Sequence, residues 1–579
     1  MNHPTYGGSF LLESATSAFT PEDFSPEHRA VAQTTRDFWQ REVEPNLDAI
    51  LRQNFPVLIR TVRKAAELGL VSALVPERYD GMEMDLVSDL IVTEGVALDG
   101  SYSMAHGAQS GIGVLPLLLF GTSEQKKKYL SGLASAELIA AYCLSEAQSG
   151  SDALNVRTRA ELSPDGSHYI LNGQKMWITN GAIADLYTVF ANVVSADEPP
   201  RFTAFLVERN WEGVRHGAEE KKMGLKGSST TALYFDDVLV PVENVLGEVG
   251  RGHIVALNVL NLGRLKIGAY AVGKCRYLLE ESLRYSAGRE AFGKTIADFG
   301  LIQEKLARMA ERLFVTESLT YRLAGMVESH LGDDGFASLD WDQPDAATTL
   351  MKAAEEFAAE CSLVKVYASE ALDFVSDEAV QIHGGYGYHQ DYPVERAYRD
   401  SRIYRIFEGT NEINRLAAVT MLLRRARKGR LPLADAVKQL DLTSASGVLA
   451  NAKKVALLMF GAAYEAFGGE IDAQQEVTAR LADILMDIFA MESTWLRADR
   501  IANSAKGNRG DQARDIAELL TAGARHRVLQ SASEILAACL PPDAAQTRLA
   551  AVEQLLASDP VDTITLQRRI TARLLANVA

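Results

Sequence analysis

The chain is 579 residues long, 47% hydrophobic, with a formal net charge of -17, enough for several packed domains. That acidic balance argues against a nucleic-acid binder, whose affinity rests on neutralising phosphates, although a local Lys/Arg cluster can still hold an anionic ligand. Cys143, Cys275, Cys361 and Cys539 show no metal-ligand spacing and read as buried free thiols in a reducing compartment, so no metal is expected. The chain starts without a basic stretch leading into an apolar one, and no apolar run is long enough to span a bilayer. The expectation is a cytoplasmic protein, attached at most peripherally to the inner face of the membrane.

After an amino-terminal extension over 1–25, residues 26–135 read as a helical domain. Val57, Leu58, Val62, Ala65, Ala66 and Leu70 recur on one helical face. Over 136–252 the period changes. Tyr169 to Leu171, Leu186 to Val194, Phe202 to Val207 and Ala232 to Phe235 read as strands punctuated by Gly, Asn, Pro and Asp, which predicts a compact β domain. Helical patterning returns over 253–430, interrupted by an acidic loop with Asp333, Asp334, Asp340, Asp342 and Asp345 that reads as solvated surface. Gly429-Arg430-Leu431-Pro432 marks a stop. Beyond it, 431–579 reads as an accessory helical domain, with apolar stripes at Leu481, Ile484, Leu485 and Ile488 and at Ile516, Leu519 and Leu520.

Five local signals carry chemistry. Tyr142-Cys143-Leu144-Ser145-Glu146 followed by Gly150-Ser151-Asp152 offers N–H groups and hydroxyls to a flavin edge or a phosphate. Lys175 to Asn180 sets Trp177 on a strand as a flat face, with Thr179 as a hydrogen-bond partner. Arg289, beside Phe292-Gly293, suits a pyrophosphate. Gln381 to Gly387 is glycine-rich but lacks the strand–turn–helix setting of a Rossmann fingerprint. The fifth, Arg405 to Ile413, holds Glu408 between Phe407 and Gly409, with Thr410 as a helix cap; a carboxylate dried by Phe407 is a candidate base. Read alone, each is more simply a capped turn, a core tryptophan, a surface arginine or a loose turn.

Together and in this order they resemble the acyl-CoA dehydrogenase family. The resemblance spans most of the first 430 residues and includes two signature stretches, Tyr142 to Asp152 and Gln381 through Arg399. Leu301 to Met309 and the extra helical tail are most similar to the bacterial long-chain and mitochondrial very-long-chain branch. The resemblance implies a mainly α protein with a central β domain: a helical amino-terminal domain, a β-barrel-like middle domain and a four-helix bundle, plus the accessory helices. It implies FAD held by Tyr142, Leu144, Ser145, Gly150, Ser151, Trp177 and Thr179, and by Arg289, Phe292, Ile296, Gln381 and Gly385 acting commonly from a neighbouring subunit, hence a homodimer. Thr410 and Glu412 match positions that close over the flavin. Ser151, Arg264, Phe407 and Gly409 match substrate contacts.

Glu408 matches the family's catalytic base. Some relatives carry the base instead directly before an arginine matched here by Arg264; the preceding residue is Gly263, which has no side chain to serve. The implied reaction is α,β-dehydrogenation of a fatty acyl-CoA to a trans-2-enoyl-CoA, with electrons passed to an electron-transfer flavoprotein. The small residues of Met104 to Gly111 leave room for a long acyl tail or simply pack tightly. The basic run Arg424 to Arg430 can meet an anionic membrane or complement its own helix dipole. Two alternatives share the scaffold: an acyl-CoA oxidase, and a non-catalytic docking or assembly protein.

Overall fold

The computed structural model describes residues 6–332, 335–341, 343, 345–504 and 508–577. They form two compact units, one comprising Ser25–Lys266 and Leu331–Glu355, the other Met1–Phe24, Ile267–His330 and Glu356–Ala579.

The first unit opens with helices. Pro26–Phe38 is started by Ser25, whose Oγ accepts the His28 N–H at 3.1 Å while His28 Nδ1 accepts the Ser25 N–H at 3.1 Å. This reciprocal cap satisfies donors that the helix cannot. Phe55–Glu67 buries Leu58, Val62 and Ala65, the face set by their spacing. The segment with the small residues is a helix, Gly100–Gly107, running into a π-turn, Ala108–Gly113.

The sheet has eight strands: β1 Ala140–Cys143, β2 Arg159–Leu162, β3 His168–Thr179, β4 Leu186–Val194, β5 Arg201–Glu208, β6 Val214–Glu219, β7 Thr230–Pro241 and β8 Val245–Leu246. Their order is β6-β7-β3-β2-β4-β5-β8, with β1 also on β4. β1 and β2 both run parallel to β4, with Ala140 to Cys143 opposite Leu186 to Val189, and Arg159 to Glu161 opposite Asn192 to Val194. The interior is dry: Val189, Phe190, Ala204, Phe205 and Leu206 are fully buried. Each large apolar side chain there contributes about 1.5–3 kcal/mol of burial. β4 and β5 are accordingly near-continuous apolar runs, whereas β2 and β6 are mostly exposed and polar. Asp340 and Asp345 of the acidic loop are exposed, while Asp333, Asp334 and Asp342 lie outside the described residues.

The second unit is helical. Ala358–His383 and Asn411–Arg427 pack with the tail helices Val448–Phe467, Gln475–Ser504 and Asn508–Cys539, and Arg322 of Gly300–Leu331 donates to Ser493 and Glu492 of that tail. Leu481, Ile484, Leu485, Ile488, Ile516, Leu519 and Leu520 are buried. Charge pairs cross this packing: Glu492 accepts from Arg322 and Lys453 at 2.6 Å each, with all three side chains nearly excluded from solvent. The amino-terminal residues join the same mass, Phe10 lying 5.0 Å from Phe489, with the N–H groups of Gly7 and Gly8 donating to Glu356 and Glu360.

Of the basic run, Arg425 binds Glu356 and the Gly7 carbonyl, and Arg427 binds Asp472. Cys143, Cys275 and Cys361 are buried, Cys539 is half-buried, and all are free thiols. No helix among the described residues is long and apolar enough to cross a membrane.

Candidate active site

The candidate residues divide between the two units. In the sheet unit, Tyr142 on β1 is buried against Phe190, ring centroids 5.0 Å apart. Residues 144–158 then leave the sheet as a loop. Leu144 is buried, Ser145 half-buried, and Gly150 and Ser151 exposed; a Cβ at Gly150 would meet nothing within 4 Å. Trp177 is 54% exposed and has φ +59, at a register shift between Lys175 and Ile178 where β3 meets β7. An indole turned outward on a left-handed backbone is costly in the isolated fold, which points to a ligand for that face. Thr179, half-buried, ends β3 opposite Thr230. Arg264 is buried, its Nη1 donating to Asn261 at 3.1 Å.

A pair absent from the list of candidates braces this half. Lys175 Nζ lies 2.6 Å from Glu146 Oε1 and 3.2 Å from the Leu144 carbonyl oxygen. Glu146 also accepts the Arg157 N–H at 2.6 Å and the Thr158 hydroxyl at 2.6 Å. Burial would raise its carboxyl, but Lys175 and these donors outweigh it and hold the pKa low. Both residues fall inside the motifs read from sequence; only the pairing was hidden.

In the helical unit, Arg289 is exposed with its guanidinium 5.5 Å from the Tyr386 ring centre. Phe292 and Gly293 form the tip of the hairpin Glu290–Ala291 and Lys294–Thr295, both at positive φ, +53 and +79. Two such residues make a tight turn that ordinarily prefers Asn-Gly, yet Phe292 is 96% exposed. Ile296 is half-buried, its N–H donating to the Arg289 carbonyl at 2.8 Å. Gln381 is exposed near the end of Ala358–His383, and Gly384 and Gly385 have nothing within 4 Å of a built Cβ.

Glu408 sits in a bend with φ +57, followed by Gly409 at +81. A glutamate there is strained, and the glycine after it relieves a second cost. Phe407 is half-buried with its ring 5.1 Å from Tyr404. Thr410 Oγ1 caps the helix Asn411–Arg427, accepting the Ile413 N–H at 3.3 Å. Glu412, in the first turn, is exposed. Asn414 Nδ2 donates to the carbonyls of Glu408, Gly409 and Thr410 at 3.3, 2.7 and 3.0 Å. Lys365 Nζ donates to the Gly409 carbonyl at 2.7 Å. Neither clamp residue stood among the sequence candidates. Asn414 directly follows the Arg405 to Ile413 stretch, four residues past the Thr410 cap, and was findable there; Lys365 carried no local signal.

Family models match nearly all of this arrangement: the acyl-CoA dehydrogenase N-terminal domain at 25–137, the middle domain at 141–238 and a C-terminal domain at 250–339 and 344–423. The chain belongs to the acyl-CoA dehydrogenase family. A second acyl-CoA dehydrogenase C-terminal model matches 451–554, so the tail helices have family counterparts. The chain is 43% identical to a probable acyl-CoA dehydrogenase of Bacillus subtilis, over 98% of this chain and 97% of that one. It is 44% identical to the human very long-chain specific mitochondrial acyl-CoA dehydrogenase over 60% of this chain and 51% of that protein. Its fold superposes on the crystal structure of an acyl-CoA dehydrogenase complexed with FAD from Bacillus anthracis with a TM-score of 0.95, at 42% identity and 99% coverage of both chains. The acyl-CoA dehydrogenase fold read from the motifs is therefore present, including its helical extension.

Proposed function

We propose that this flavin-dependent acyl-CoA dehydrogenase oxidises long-chain fatty acyl-CoA thioesters to trans-2-enoyl-CoA, with Glu408 as base. The observation that carries the assignment is the strained, clamped backbone at Glu408, which the fold maintains at a cost. The chain's residues fit FAD. The outward-turned Trp177 offers a flat face, and Gly150, Gly384 and Gly385 leave the backbone bare for close approach. Tyr142, Leu144, Ser145, Ser151, Thr179, Arg289, Phe292, Ile296, Gln381, Thr410 and Glu412 are proposed to complete the contacts. Arg289, Phe292, Ile296, Gln381 and Gly385 are assigned to a homodimeric partner's flavin.

Bound FAD supplies the two-electron redox chemistry. Glu408 removes the α-proton, and its own N–H stabilises the thioester oxygen as negative charge develops there. Phe407 excludes water beside the carboxylate, which brings its basicity towards that of the α-carbon. Ser151, Arg264 and Gly409 are assigned to the thioester and acyl portions. The proposed electron acceptor is an electron-transfer flavoprotein, in fatty-acid β-oxidation.

The test is anaerobic. Palmitoyl-CoA is expected to bleach the flavin absorbance rapidly, and an electron-transfer flavoprotein to restore it. A flavin that stays oxidised across a chain-length series would overturn the assignment. Peroxide released stoichiometrically in air would turn it into an oxidase.

A further inference from the structure

We infer that the tail helices position the catalytic turn: Asp483, through Arg415, Glu370, Asn411 and Lys365, fixes the Gly409 carbonyl beside Glu408. This rests on the reading of Glu408 as the base.

The chain of contacts is continuous. Two buried donors, Lys365 Nζ and Asn414 Nδ2, each approach the Gly409 oxygen to 2.7 Å. That carbonyl closes the left-handed pair Glu408-Gly409 on its carboxyl side, and Asn414 Nδ2 also donates to the Glu408 carbonyl between the two at 3.3 Å, so a swing of either peptide would carry the Glu408 side chain with it. Lys365 is fully buried and is aimed by Asn411 Oδ1 at 2.7 Å. The Asn411 amide cannot flip without loss: its Nδ2 donates to Ser369 Oγ at 3.0 Å and to Glu370 Oε1 at 3.1 Å, and its Oδ1 accepts from Ser369 at 3.2 Å. Glu370 is gripped by the Arg415 guanidinium at 2.8 and 3.1 Å. Arg415 Nε reaches Asp483 at 2.7 Å, on the tail helix Gln475–Ser504.

A lysine ammonium is expensive to bury, and a methionine of similar reach would pack there at less cost. A planar arginine fork held on two sides transmits orientation better than a flexible lysine does. The tail therefore does more than add core. Lys365, Asn411, Asn414, Arg415 and Asp483 are positioning residues; they touch neither reacting carbon.

Lys365→Met, Asp483→Asn and the double variant test this, with Glu408→Gln as control. Three quantities are read on the purified flavoprotein: the anaerobic bleaching rate with palmitoyl-CoA, the apparent Kd from the same titration, and amide hydrogen exchange over 405–414. Lys365→Met is expected to slow bleaching by about 10–100-fold, since sub-ångström misplacement of a base costs on this order. Asp483→Asn is expected to slow it by about three- to tenfold. Both are expected to speed exchange over 405–414, with Kd unchanged. The double variant is expected to bleach no more slowly than Lys365→Met alone, because the two act in series. Bleaching by Asp483→Asn at the parent rate, or unchanged exchange over 405–414, would overturn the inference. Should Lys365→Met not fold, the half-exposed Asp483 still decides the matter. Glu408→Gln is expected to keep parent-like exchange without bleaching. If it bleaches, the base lies elsewhere, while the exchange measurement still judges the clamp.

Discussion

Lys175 Nζ lies 2.6 Å from Glu146 Oε1, and neither side chain is more than 4% exposed. One pair thus joins β3 to the loop that carries Ser145, Gly150 and Ser151. Removing one partner strands the other charge out of water, which typically costs about 3–5 kcal/mol. Lys175→Met is expected to lower thermal stability and to emerge from purification with less flavin per chain. Glu146→Gln, which keeps an acceptor for the Thr158 hydroxyl, is expected to lose less. The ratio of flavin to protein absorbance, beside a melting curve, checks both. Full flavin content in Lys175→Met would detach the pair from cofactor binding.

The hairpin tip makes an opposite prediction. Phe292 occupies a left-handed position that asparagine fills more readily, and it gives up almost no surface to its own chain. Phe292→Asn is expected to leave the folded chain as stable or more stable, by up to about 1 kcal/mol. Flavin retention, and dimer content in sedimentation, are expected to fall. A variant with lower stability and normal flavin would show that Phe292 serves its own fold.

Glu360 supplies a pH dependence. Its carboxyl is fully buried, which raises the pKa to about 7 despite the hydrogen bond from Gly8 N–H at 2.6 Å. Because the folded chain holds this proton more tightly than the unfolded one, the contribution to stability is complete below about pH 4.5 and is lost as pH rises through about 7. The span corresponds to at most about 3 kcal/mol. Glu360→Gln is expected to unfold at the same denaturant concentration as the parent at pH 5 and at a higher one at pH 8. Parallel pH profiles for the two proteins would refute this.

If the basic run meets an anionic membrane, the contact falls to the exposed Arg424, Lys428 and Arg430, since Arg425 and Arg427 bind acidic groups of the chain itself. At about 1 kcal/mol per cation near an anionic surface, three give only weak attachment. Flotation with vesicles is expected to need a high anionic lipid fraction and low salt. Binding that survives about 0.5 M salt would require an apolar contribution.

Much of this was legible along the chain. β4 and β5 announced themselves because a strand buried on both faces must be apolar throughout. Thr410 was readable as a cap because capping is local. β2 and β6 were not legible, being short, polar and exposed; pairing with β3 and β7 makes them strands. The same limit hid Lys365, which meets Gly409 from a helix 44 positions earlier and has no neighbour in sequence that marks it. Phe407 was readable only as an aromatic beside Glu408. It is half-buried and packs on Tyr404, a contact that residue type alone does not reveal.

The two parallel strands on one edge of β4 have a practical consequence. Cys143, where the loop departs, faces Val189, and Arg159, where the chain returns, faces Asn192. The feet of residues 144–158 are therefore fixed about 10 Å apart by β4, whose Asn192 also donates its side-chain amide to the Val156 carbonyl at 2.8 Å. Exchanged between relatives together with Lys175, its partner on β3, such a loop is a cassette that carries its chemistry with it while the register of the sheet stays put.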